Sequence, residues 1–375
     1  MKMRFVKLQD VAETSCGGTP NRGNKKFYGG TIPWIKSGEL PDGEIIEVQE
    51  KITQEAIKNS SAKIINCSTL LIAMYGATVG KLGIPTFPAA TNQAVCAIQP
   101  SEELDRDYLF YYLLSIRKEL IVASFGGAQP NISQDTLRNL TIPVLSIEVQ
   151  QEMAKNLKKQ FSEIEKAREA IIEQKKEISN LANAIIYESL SKDENHVYSL
   201  GSVLDEVKVG IGEKWEQYPV YGATRTGIAL AKEPPGKHAQ KYKPVIPGTV
   251  FYNPMRILIG SIAFAETDVE DGITSPDYVV LKGKEGLVDS RWFYFWLRSP
   301  LGVQCINSLA RGAVRERMLF NRLAEGQIEL PDYILQKEAS EVLLNLKQVS
   351  VNLNKQLKEI EALPNKILSS VFKDV

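Results

Sequence analysis

Apolar residues in this chain of 375 residues are set out in two different rhythms. Between residues 146 and 195, Leu157, Ile164, Ile171, Ile178 and Ile185 recur at seven-residue steps. Ala154, Phe161 and Ala182 fill companion positions, while Arg168 and Lys175 interrupt that second row. Ser146 is placed to cap the helix this pattern predicts. A second seam over 332–375 repeats the step with Ala339, Leu346, Leu353, Ile360 and Ile367, and Val342, Val349 and Leu363 stand beside it. Pro364 is expected to kink or end that helix early. Apolar rows of this kind call for a helical partner. Elsewhere the rhythm is short: β-type runs such as Thr69–Ala73 and Ala94–Ile98 lie between glycine- and proline-rich turns, and one helix with an aromatic face is expected over Asp107–Ser124.

The short rhythm occurs twice. Val6 to Val11 corresponds to Tyr198 to Val203, and 69–83 to 249–263, so that Gly80 falls on Gly260. The stretch 90–98 answers 273–281, and the aromatic run 107–115 answers 291–299. Gly127-Ala128 matches Gly312-Ala313, and Ile142-Pro143 is matched to Leu330-Pro331. A period this long means two copies of one domain, not a solenoid. Mixed α/β (α+β) with a mainly antiparallel sheet is the expected fold class for 1–145 and for 196–331, the latter with a proline-rich insertion around Lys232–Pro247. A helix of about 40 residues is ~60 Å long. If the second helix pairs with the first along its length, it starts beside the second copy and runs back. The expectation is therefore an antiparallel pair, a rod with a globular head at each end and a pseudo-two-fold axis across it. Packing of each helix on its own domain, or a homodimeric coil, are the alternatives.

Composition narrows the chemistry. Lysine plus arginine and aspartate plus glutamate each total 45, which argues against a free-standing protein held to nucleic acid by a strong positive field. Cys16, Cys67, Cys96 and Cys305 show no C-x-x-C spacing, and His196 and His238 are the only histidines; no zinc site is expected. The start of the chain lacks a signal-peptide pattern and no long apolar run crosses a membrane, so cytoplasm is expected. Gly76-Ala77-Thr78-Val79-Gly80-Lys81-Leu82 has three residues between its glycines and Leu82 after the lysine, whereas a P-loop needs four and Ser or Thr. A strand-to-turn segment is the better reading. Asn253-Pro254-Met255-Arg256 and Glu233-Pro234-Pro235-Gly236 both miss the amino-methyltransferase pattern of Asp or Asn, two prolines and an aromatic, and neither histidine lies near a nucleophile elbow.

What is left is polar loop material in equivalent places. The first copy offers Arg22, Lys25, Lys26 and Tyr28, then Lys36, Tyr75 and Lys81, then Asn92, Gln93, Gln129 and Asn131. The second offers Lys214, Tyr221 and Arg225, then Asn253 and Arg256, then Arg311, Arg315 and Arg317. Arg, Asn and Gln can make bidentate contacts with base edges, and Lys and Tyr reach phosphates.

In order, Leu8, Val11, Gly18-Thr19-Pro20, Ile32-Pro33-Trp34, Val79-Gly80-Lys81, Asn92-Gln93 and Pro143 to Gln150-Gln151 resemble the specificity (S) subunit of type I restriction-modification systems. The likeness covers nearly the whole chain, although the second copy lacks Gly-x-Thr-Pro and Asn-Gln. It implies target-recognition domains at 1–145 and 196–331, spacer helices at 146–195 and 332–375, and a non-catalytic subunit reading a split, asymmetric sequence in double-stranded DNA. The implied partners are two modification (methyltransferase) subunits carrying S-adenosylmethionine and restriction subunits that cleave foreign DNA, with no cofactor in this chain and no membrane. An independent two-headed DNA-binding regulator and a coiled-coil protein scaffold are the rival readings.

Overall fold

The structure, a computed structural model, describes residues 3–123, 131–191, 196–310 and 317–372. Contacts divide the chain into two units, Met1–Glu169 with Leu357–Val375, and Ala170–Gln356. In the first, Arg4–Lys7 pairs antiparallel with Thr141–Val144. A five-stranded sheet follows in the order Ala12–Cys16, Val95–Pro100, Leu70–Ala73, Leu82–Pro85, Gly43–Ile45, antiparallel except for its last pairing. A smaller sheet places Tyr28–Ile35 between Lys51–Ile52 and Ala89–Thr91.

The second unit repeats this plan. His196–Ser199 pairs with Gln327–Leu330, and Leu204–Glu206, Val279–Gly283, Val250–Tyr252 and Ile262–Phe264 form a sheet in the matching order. The registers agree residue for residue: Leu71 faces Gly83 as Phe251 faces Ala263, and Gly80 and Gly260 both take a left-handed φ, +78° and +83°. The final strands correct one match. Lys7 faces Thr141 where Ser199 faces Gln327, so Ile142 corresponds to Ile328 and Leu330-Pro331 lies two residues beyond the place of Ile142-Pro143. The prolines are not equivalent; Pro143 is inside its strand and Pro331 follows it.

The aromatic segment is two helices, Arg106–Ser115 and Arg117–Ala123, and not one. Ser115 Oγ donates to Tyr112 O at 2.7 Å, and Ile116 leaves the helical region, as a serine competing for a helix carbonyl favours. Tyr108 and Trp292, equivalent and almost fully buried, each satisfy their polar tip: Tyr108 OH on Pro143 O at 3.0 Å, and Trp292 Nε1 on Ser189 Oγ at 3.1 Å.

The long helices cover Ile147–Leu190 and Tyr333–Phe372. In the first unit Ala154, Leu157 and Phe161, early in the first helix, pack with Ile367, Leu368 and Val371, late in the second. In the second unit the opposite ends meet, Ala182, Ile185 and Ile186 with Ala339 and Leu343. The two helices therefore run antiparallel. Leu157, Ile171 and Leu353 are buried and Ile164, Ile178, Ile185, Leu346, Ile360 and Ile367 half-buried. The companion row of the second helix differs from expectation. Val342, Val349 and Leu363 are exposed, and the less exposed row is Gln336, Leu343, Ser350, Leu357, Pro364 and Val371. The step from Ala339 is thus four residues and not three. Pro364 neither ends nor precedes the end of the helix by breaking it: the helix runs on to Phe372. Its missing N–H removes one helical bond, while the packing of Ile367, Leu368 and Val371 holds the turn that follows.

Candidate nucleic-acid interface

The loop after Leu70–Ala73 turns at Gly76 and Gly80, where φ is +83° and +78°. Gly80 N–H donates to Ala73 O at 2.8 Å, so the segment comparable with a P-loop closes a hairpin that presents Lys81, while Tyr75 is half-buried against the core. The chain returns to this loop much later: Ile132 N–H donates to Met74 O at 2.7 Å and Tyr75 bridges Asn131. A brace lies underneath. Arg117 pairs with Asp42 through both carboxylate oxygens, and Asp42 accepts the Leu82 N–H at 2.9 Å.

The second unit builds the same junction. Met318 N–H donates to Pro254 O at 3.0 Å, which puts Arg317 in the place of Asn131, beside Asn253 and Arg256. Arg298 donates to Gly260 O and Ile262 O at 3.1 and 3.0 Å, and Arg225 Nε to Ile259 O at 3.1 Å. Arg317 meets Asp277 at 2.7 Å. Gln129, Arg311 and Arg315 lie outside the described residues.

A second cluster in the first unit is built on the glycine-rich turn. A Cβ on Gly17 would meet Thr91 O at 2.2 Å, and one on Gly18 would meet the Ala62 nitrogen at 2.4 Å; only glycine lets the backbones approach so closely. Trp34 Nε1 donates to Gly18 O at 3.1 Å, Tyr28 OH to Pro20 O at 2.6 Å, and Thr19 Oγ1 to the Gln93 side chain. The Gly-x-Thr-Pro, Ile-Pro-Trp and Asn-Gln segments thus bond to one another. The Arg22 guanidinium lies over the Tyr28 and Trp34 rings, 4.7 and 4.9 Å from their centres, and forms a two-bond ion pair with Glu50. That pair holds the Glu50 carboxyl below its ordinary value. Lys36 reaches the same carboxylate at 3.5 Å. Lys25 and Lys26 are exposed beside this cluster.

The predicted residues consequently separate by environment. Lys25, Lys26, Lys81, Asn131, Lys214, Arg225, Arg256 and Arg317 are exposed, able to meet a polyanion, with Arg225 also bonded to Ile259 O and Arg317 paired with Asp277. Others are engaged in the loops themselves. Asn253 Oδ1 accepts the Met255 N–H at 2.9 Å. Tyr221 OH donates to Glu270 O at 3.2 Å, its ring against Gly272. Asn92 Oδ1 is buried and accepts no hydrogen bond from the described residues. Sequence reading missed Glu50, Arg117, Asp42 and Arg298. A distant counter-ion leaves no local signal, and Arg298 ends an aromatic run that reads as core. No metal-binding group of three or more His, Cys, Asp or Glu occurs among the described residues.

Residues 2–174 match the model of the type I restriction modification DNA specificity domain. The chain is 31% identical over 224 residues to the type I restriction enzyme MjaIX specificity subunit of Methanocaldococcus jannaschii, covering 56% of this chain and 49% of that protein. It is 27% identical over 164 residues to the EcoR124I/EcoR124II specificity subunit of Escherichia coli, covering 42% and 41%. The match thus spans about half the length, or less, of these curated relatives. Among solved structures, the S subunit from M. genitalium matches with a TM-score of 0.57 at 16% identity, covering 99% of this chain and 96% of that one. A chain from a study of complex assembly and conformational transition in the type I R-M system matches with a TM-score of 0.67 at 16% identity, covering 99% and 97%. At such identities these likenesses bear on the fold.

Proposed function

We propose that this chain, whose residues 2–174 match the type I restriction modification DNA specificity domain and which is similar to type I specificity subunits, is the non-catalytic, sequence-reading subunit of such a system. Each unit reads one half of a split, asymmetric target in double-stranded DNA, and the length of the paired helices sets the gap between the halves. Two modification subunits dock on the chain and supply S-adenosylmethionine and the adenine chemistry; restriction subunits join for cleavage of foreign DNA. Base flipping then belongs to the partner. The chain itself holds no cofactor and works in the cytoplasm; no helix among the described residues is long and apolar enough to cross a membrane.

One observation carries this reading beyond kinship. In both units the return of the chain to the hairpin, Ile132 to Met74 and Met318 to Pro254, gathers exposed polar and basic side chains on a braced loop. Such loops can combine phosphate contacts with base-edge contacts. Charge balance over the whole chain fits a subunit whose partners provide much of the phosphate neutralisation, so the isolated chain binds DNA weakly and with a shallow salt slope. The test is a methylome comparison in cells carrying the modification subunits with and without this gene. Loss of adenine methylation at one bipartite motif is expected on deletion. An unchanged methylome overturns the proposal.

A further inference from the structure

The first unit holds an opposed pair of thiols that DNA reading does not use. Strands Ala12–Cys16 and Val95–Pro100 are antiparallel, with Cys16 directly opposite Cys96. Gly17 N–H donates to Val95 O at 3.3 Å, which makes Gly17 and Val95 a hydrogen-bonded pair and the cysteines, one step back, a non-bonded one. At such positions opposed Cα atoms are about 4.5 Å apart and the side chains stand closest. A disulfide spans Cα separations of about 4.4–6.8 Å. The register thus sets the two cysteines at a Cα spacing that a disulfide can span.

The two thiols differ in the way an oxidation couple requires. Cys16 is half-exposed and Cys96 buried, and both are free. The neighbouring Cys96 thiol lowers the Cys16 thiol to about 7, helped by Arg138 and Lys63; the neighbouring Cys16 and burial push Cys96 up. Cys16 Sγ also contacts Gln134 Oε1 at 3.3 Å. Cys305, by contrast, is raised by burial.

We propose that Cys16 and Cys96 form an oxidative modification site, in which a peroxide converts Cys16 and Cys96 closes a cross-strand disulfide. In the first step the Cys16 sulfur attacks the peroxide O–O bond, forming an S–O bond and releasing one water from hydrogen peroxide. In the second the Cys96 sulfur attacks the Cys16 sulfenic sulfur, the S–O bond breaks, and the oxygen leaves with the thiol proton as a second water. Two thiols are oxidised and one peroxide is reduced. Sulfenic acid at Cys16 is the intermediate between the two steps. Closure removes the Cys16 donor from Gln134, a residue of the helix Gln134–Arg138 that follows Asn131. Gln134 keeps its two Nε2 bonds to Thr14 O and Thr14 Oγ1, at 2.9 and 3.0 Å, so oxidation loosens this residue without freeing it.

The test treats the reduced full-length protein with hydrogen peroxide, alkylates the remaining thiols and maps peptides by mass. Expected are an intact mass lower by two hydrogens, a peptide pair linked through Cys16 and Cys96, and reversal by a dithiol reductant. In Cys96→Ser, a cyclic 1,3-diketone should capture sulfenic acid at Cys16. Before oxidation, alkylation of Cys16 at neutral pH should run at least several-fold faster than that of Cys305, since the first thiol is lowered and the second raised. Recovery of Cys16 and Cys96 still alkylated after peroxide, or linkage only between separate chains, overturns the proposal. The wild-type measurement decides alone, whether or not the serine variant folds.

Discussion

Gln150 and Gln336 make the same three hydrogen bonds in the two units. Gln150 Oε1 accepts the Asp105 N–H at 2.9 Å, and its Nε2 donates to Glu103 O and Leu145 O, both at 2.9 Å. Gln336 repeats this with Asp289, Leu287 and Pro331 at 2.9, 3.0 and 2.8 Å. Asp105 and Asp289 in turn cap the aromatic helices, accepting from the Tyr108 and Trp292 N–H groups at 2.8 Å each. Both glutamines are fully buried, so truncation strands backbone groups away from water. Gln336→Ala should destabilise the second unit by about 2–4 kcal/mol, read as a lower urea midpoint. The effect should be absent from probes in the first unit. Arg317→Ala should weaken or relax the reading of one half-site by roughly 1–3 kcal/mol and leave the other unchanged, if it meets a base edge; binding to DNA sites varied one half at a time checks this. Of the loop chemistry, the sequence shows the residue types and their repetition. It cannot show that Glu50 lies against Arg22 or that Thr19 finds Gln93, because those contacts join segments far apart in the chain.

Among the elements, the long helices show where pattern reading succeeds and where it slips. The seven-residue rows from Leu157 and from Leu346 are plain because every member is aliphatic. The companion row of the second helix contains Gln336, Ser350 and Pro364, which disguise it, while Val342 and Val349 imitate a row without being buried. Gln336 stands there because the aromatic helix needs a partner for its cap, a demand that no local periodicity reveals. The corrected row makes a paired prediction. Leu343 is fully buried and Val342 is 48% exposed, so Leu343→Ala should cost about 2–5 kcal/mol and Val342→Ala no more than about 0.5. Thermal unfolding of the two neighbouring variants is sufficient to decide. Equal losses would return the seam to the three-residue step.

For the molecule as a whole, two units of one plan each enclose a core drawn partly from both long helices. Duplication was legible because glycines and aromatic runs keep their spacing; the offset of the closing strands was not, because a conspicuous proline in each copy drew the alignment two residues off register. Under the proposed function, helix length is a property of the target site. Matched seven-residue insertions, one in each long helix, preserve both rows and should change the tolerated gap between half-sites without changing either half. Selection of methylated sites from a library with varied gaps measures this, and an unaltered gap would remove the spacing role.

The short ribbons that open and close each unit have one more consequence. Arg4 faces Val144 and His196 faces Leu330, so the chain enters and leaves each module through a single doorway. A fragment bounded by such neighbouring ends can be lifted out and exchanged for another of the same plan, whatever its internal loops contain. Under the proposed function, replacing the interior of one module with a foreign counterpart would issue a new half-address while leaving the other unit to read as before.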